Sequence, residues 1–176
     1  MGANRDEFFA RPSQGVHLLS SQPYVLGGRD LLGGGTWLGL NEYGLLVALT
    51  NYRPPASSLE LEGLKRGGHS RGSSFPFSRG QLVMQALRCA SVHELTALLR
   101  KLEPELGGYG PFNLLFGNHL GLQVAQVPQG KLTLSKVDDG FHVLPSGAGL
   151  DDHRSPKVRR CLALLELESR FLLCGP

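Results

Sequence analysis

A chain of 176 residues, 41% apolar and 19% charged, is a globular unit of one domain rather than a disordered segment. Its net charge of +3 comes from scattered Lys and Arg with no basic stripe, which excludes a nucleic-acid interface. No apolar run approaches the roughly 20 residues of a membrane span, and the start lacks the basic-then-apolar order of a secretory signal. Cys89, Cys161 and Cys174 lie far apart, so they describe no disulfide framework, and no Cys or His pair has zinc-ligand spacing. A cytoplasmic setting without a metal is expected. Met1-Gly2 resembles an acylation start, but Asp6 stands where that motif takes Ser or Thr.

In chain order, the first notable segment is Asn4-Arg5-Asp6-Glu7 followed by Phe8-Phe9, a set of ionisable groups beside apolar anchors. On an extended strand Arg5 and Glu7 face one way and Asn4 and Asp6 the other. Arg5 and Asp6 therefore share a pocket only if the strand ends or kinks, and Arg11-Pro12 marks such an end. An ion pair ordering a sheet edge is the competing reading; the clustering of ionisable groups favours the pocket. Gly33-Gly34-Gly35 lacks the Lys-Ser or Lys-Thr of a phosphate loop and precedes a strand, so nucleotide binding is not expected.

Trp37 to Leu40 and Leu45 to Thr50, joined by Asn41-Glu42-Tyr43-Gly44, predict a β-hairpin. Trp37 lines either a pocket or the core, and Asn51 is either a site residue or a turn residue before Pro54-Pro55. Residues 53–77, rich in Pro, Ser, Gly and Arg, read as a mobile surface loop. Ser78 to Gln81 and Ser91 to Glu94 have capping-box spacing and open two helices, the second carrying Leu95, Leu98, Leu99 and Leu102 as one stripe up to Pro104. These two helices are expected side by side on a sheet. Phe112 to Phe116, Leu120 to Val127 and Leu132 to Val137 predict an antiparallel meander. Ser155-Pro156 starts a last helix whose buried face is expected from Val158, Cys161, Leu162, Leu165 and Leu172. His119 is expected in an exposed turn, and His17, His69 and His153 in loops without partners.

The opening Asn4-Arg5-Asp6-Glu7-Phe8 resembles the signature of the NRDE family, which takes in the transport and Golgi organisation proteins. Gly28-Arg29-Asp30-Leu31, Gly34 to Gly39 and Ala48-Leu49-Thr50-Asn51-Tyr52-Arg53 are similar to its second and third blocks. Ser78 to Val83, Phe112-Asn113-Leu114 and His142-Val143-Leu144-Pro145 leading to Pro156 are similar to later ones, so the resemblance covers the whole chain. It implies one NRDE-like domain over 1–176, read as a fragment, with an α+β fold of the N-terminal-nucleophile hydrolase type: an αββα sandwich of antiparallel sheets, here incomplete.

In active enzymes of that fold a terminal Cys, Ser or Thr is the nucleophile and its own amine the base. Arg5 and Asp6 match by position the groups that orient that terminus, and Asn51 the donor to the developing oxyanion. The family's opening strand, with a cysteine after the initiator, is not in this chain, whose second residue is Gly2. The expectation is therefore a non-catalytic pocket of Asn4, Arg5, Asp6, Glu7, Trp37 and Asn51. Its ligand is expected to be haem-like or acyl-lipid-like, with no cofactor assigned and with Golgi or mitochondrial association. An amidohydrolase of linear amides is the alternative, should a full-length protein supply the cysteine.

Overall fold

The structure, a computed structural model, describes residues 1–3, 7, 10–52 and 75–173. Its strands are β1 (Ser13–Ser21), β2 (Tyr24–Asp30), β3 (Leu38–Asn41), β4 (Leu46–Asn51), β5 (Phe112–Asn118), β6 (Gly121–Val127) and β7 (Thr133–Val137). Its helices are α1 (Arg79–Ala86), α2 (Val92–Lys101) and α3 (Pro156–Leu173), with a 3-10 helix over Glu103–Tyr109. The strands form one antiparallel sheet in chain order, so the fold is α+β as expected, with one sheet among the described residues.

Local chemistry explains most of these elements. The β3–β4 hairpin turns at Asn41, whose side-chain oxygen accepts from the N–H groups of Tyr43 and Leu45. Ser78 and Ser91 cap α1 and α2 by accepting from the N–H groups of Gln81 and Glu94. Glu94 reaches back to accept from the N–H of Ala90, the residue before the cap, so side chains bond across the start of α2 in both directions. Strands β1 and β2 had no expected counterpart, and His17, expected in a loop, lies within β1. Their sequences are broken by Gly15, Gly27 and Gly28, so their strand character comes from pairing with each other and with β3.

Alternation along the strands divides the sheet into two faces. Val25, Leu45, Val47, Phe112, Leu114 and Phe116 point to one face and join Leu82, Val83, Ala86, Leu95 and Leu99 in a continuous core. Helix α1 packs on β4 and α2 on β5. Cys89 follows α1 rather than lying inside it and is buried. Of the loop expected over 53–77, residues 53–74 lie outside the described residues, while Phe77 packs against Tyr109 with ring centroids 5.1 Å apart.

On α3, Val158 is buried and Cys161 and Leu162 are half-buried, but Leu165 is exposed; the side chain of Leu172 lies outside the described residues. A helical period marks a stripe, but burial of that stripe requires a surface to cover it.

The glycine run at 33–35 is a packing device. A Cβ on Gly35 would collide with the backbone of Gly80 at the start of α1. Thr36 N–H donates to the Gly80 carbonyl at 3.2 Å, which fastens this turn to the helix.

Candidate functional site

The second face of the sheet carries no α1 or α2 and holds a cavity of about 580 Å3. Leu38, Ala48 and Leu115 lie in register across β3, β4 and β5 and form its floor, with Leu122 and Val137 continuing it. Residues Met1, Gly2 and Ala3 line one side and Trp37 another. A Cβ on Gly28 would sit 2.9 Å from the tip of the Trp37 ring, so the glycine leaves room for the indole over β2.

The third wall is a strap, residues 138–151 of the connection from β7 to α3, which folds back over the strand ends. Gly147 N–H donates to the Asn51 carbonyl at 2.7 Å. The side-chain amide of Asn113 donates to the Ala148 carbonyl at 2.8 Å and to Thr50 Oγ1 at 3.1 Å. Asn113 is fully buried, so its amide must find partners inside the protein, and the strap supplies one.

At its neck, Asp151 N–H donates to the Val143 carbonyl, and Asp151 Oδ1 accepts from Val143 N–H at 2.7 Å. His142 Nδ1 lies 2.6 Å from Asp151 Oδ2, and its Nε2 lies 2.8 Å from the Asp138 carbonyl. The hydrogen bond to Asp151 raises the imidazole pKa above its usual value, with burial opposing.

The expected pocket residues divide as follows. Asn4, Arg5 and Asp6 lie outside the described residues. Glu7 is 3.9 Å from Arg11, which is held by Asp30 at 2.6 Å. Burial pushes the Asp30 carboxyl up, but the Arg11 hydrogen bond and the amides of Gly33 and Leu32 outweigh it and hold its pKa below the usual value. That network fastens the turn after β2. Trp37 lines the cavity, whereas Asn51 does not; it meets the strap through its carbonyl. The structure thus brings Trp37 to a cavity wall and Asn51 to the strap. His119, expected in an exposed turn, also lines the cavity.

Asn113, His142 and Asp151 were not expected as site residues. The partners of Asn113 lie 63 and 35 residues away, beyond any periodic pattern.

Cys89 offers no ready nucleophile. Burial, then the charge of Glu94, push the Cys89 thiol up to about 11, so it carries its proton at neutral pH. Among the described residues no group of three or more His, Cys, Asp or Glu could hold a metal ion. No helix among them is long and apolar enough to cross a membrane.

A family model described as Transport and Golgi organisation 2 matches residues 1–168. The Transport and Golgi organization protein 2 homolog of Bos taurus is 36% identical over 118 residues, 65% of this chain and 37% of that protein. Its Homo sapiens counterpart matches at the same identity and coverage, so the match takes in little more than a third of either relative's length.

Among solved structures, a penicillin V acylase from Agrobacterium tumefaciens is similar over 65% of this chain and 33% of its own, at 15% identity and a TM-score of 0.41. A variant of conjugated bile acid hydrolase from Clostridium perfringens is similar over 72% of this chain and 38% of its own, at 16% identity and a TM-score of 0.47.

Proposed function

Since the chain belongs to the Transport and Golgi organisation 2 family, whose model takes in residues 1–168, we propose that it is a non-catalytic member that binds or carries a lipid-like or haem-like small molecule in the cavity beside Trp37. The observation that carries this reading is the cavity's chemistry. Its floor is aliphatic, its volume falls within the roughly 300–1,000 Å3 of small-molecule sites, and among the described residues no Lys or Arg lines it. Phosphates or paired carboxylates entering such a site would leave water to face the carboxyl-bearing Asp138 and Asp139, which also line it. An uncharged acyl lipid is therefore favoured over acyl-coenzyme A or haem.

Asn4, Arg5, Asp6 and Glu7, with Trp37 and Asn51, are the proposed frame of the site. Support comes from Met1, Gly2 and Ala3, which line the cavity immediately before that run. The proposed location is cytoplasmic with Golgi or mitochondrial association, the Golgi part resting on the family's name.

The test is to titrate the protein with a long-chain monoacylglycerol, palmitoyl-coenzyme A and haem separately, reading the fluorescence of Trp37, the single tryptophan, together with calorimetry and haem absorbance. Saturable binding strongest for the uncharged lipid is expected; saturable binding of none of the three sinks the proposal. A cysteine encoded upstream with a family-type opening strand would instead favour the amidohydrolase reading.

A further inference from the structure

His142 is bound at both ring nitrogens to groups that accept. One is the Asp138 main-chain carbonyl, which has no proton to give, and the other is the Asp151 carboxylate, which is acceptor-only when ionised. A neutral imidazole has one N–H and can satisfy only one of them. An imidazolium has two and satisfies both.

The two partners are the first and last residues of the strap. Asp138 directly follows β7, while Asp151 closes the neck of the strap and sits at φ 50°, a left-handed conformation that its two backbone-directed bonds to Val143 help to hold. The bonds of His142 and Asp151 thus close the strap on itself, while Gly147 and Ala148 between them carry its bonds to β4 and β5. The strap residues Leu144 and Leu150 line the cavity described above.

We propose that His142 is a proton-controlled clasp, which in its charged form holds residues 138–151 over the cavity and on losing its proton frees that wall to open. The clasp rests on the geometry alone; its role as a gate for ligand rests on the binding reading above.

The charged and titratable groups facing it are Asp151 from the strap and Asp138 from the end of β7, both of which favour the imidazolium. Asp139, His119 from the β5–β6 turn and the Met1 amine line the same cavity. The sign follows from the raised pKa. The stabilisation is fully present below about 6.5, the unfolded value, and is lost as the pH rises through the higher folded value. The wall is therefore closed in acid and loosened towards alkaline pH.

Three ligand-free measurements test this on the full chain. They are the NMR titration of the His142 ring, hydrogen exchange at the Gly147 amide corrected for intrinsic base catalysis, and acrylamide quenching of Trp37. The His142 midpoint is expected above 6.5, with Gly147 exchange accelerating by about tenfold across it as a charge-assisted hydrogen bond is lost. Quenching of Trp37 should rise with the same midpoint.

Asp151→Asn keeps a side-chain oxygen for Val143 and suits the left-handed backbone, so it should fold while moving all three midpoints down together. His142→Gln should exchange fast and quench strongly at every pH. A midpoint at or below 6.5, or exchange and quenching that ignore the His142 titration, overturns the clasp. Failure of lipid binding with these couplings intact would overturn the binding reading and leave the clasp standing.

Discussion

Asn41 shows what a single residue does in this sheet. It is 4% exposed, and its amide nitrogen donates to the carbonyls of Leu87 and Cys89 while its oxygen accepts from Tyr43 and Leu45. One side chain therefore closes the β3–β4 hairpin and ties it to the end of α1. Asn41→Ala strands all four backbone groups, two of them carbonyls at the end of a helix, and should cost about 3 kcal/mol in urea unfolding. A loss under about 1 kcal/mol would mean that water replaces the amide without penalty. The sequence marks Asn41 as a turn residue because Asn-Glu-Tyr-Gly is turn chemistry. It cannot mark the bonds to Leu87 and Cys89, which span 46 and 48 residues. Asn113 escapes a sequence reading for the same reason, with partners 35 and 63 residues away, whereas His142 and Asp151 are nine residues apart in a connection that has no helix or strand period to pair them.

Among the elements, those fixed by local rules were legible. The caps at Ser78 and Ser91, the hairpin at 41–44, the meander β5–β7 and the start of α3 at Pro156 follow from capping, turn chemistry and periodicity, which act over a few residues. Ser91→Ala removes the acceptor for Glu94 N–H at 3.1 Å, and loss of such a cap costs about 1 kcal/mol. Because Leu95 and Leu99 of that helix are fully buried, the loss should appear in global unfolding rather than as fraying, and Ser91→Asp should restore most of it. Strands β1 and β2 were not legible. Their pairings contain register shifts between Gln14 and His17 and between Leu18 and Ser20, which interrupt the two-residue alternation that marks a strand.

For the whole molecule, the sheet is covered unequally. One face is sealed by α1 and α2. The other is roofed by the strap over β4–β6, while Leu18, Leu26 and Leu40 form an in-register row across β1–β3 at 50%, 49% and 43% exposure. An apolar row of this kind should bind the dye ANS under native conditions. Leu26→Ser together with Leu40→Ser should reduce that emission sharply with little change in stability, since neither residue is buried. Unchanged emission would place the dye elsewhere, with the cavity as the first alternative.

By itself the sequence determined the family, through blocks that keep their order from Asn4 to Pro156, and the α+β antiparallel character, through turn and cap chemistry that is local. The site took shape only in the folded chain, where Trp37, of the described pocket residues expected from the sequence, lines the cavity. Its floor is assembled from residues of five strands, and its outer wall is held to the sheet by Asn51 and Asn113, whose bonds form only after the sheet has brought distant segments together.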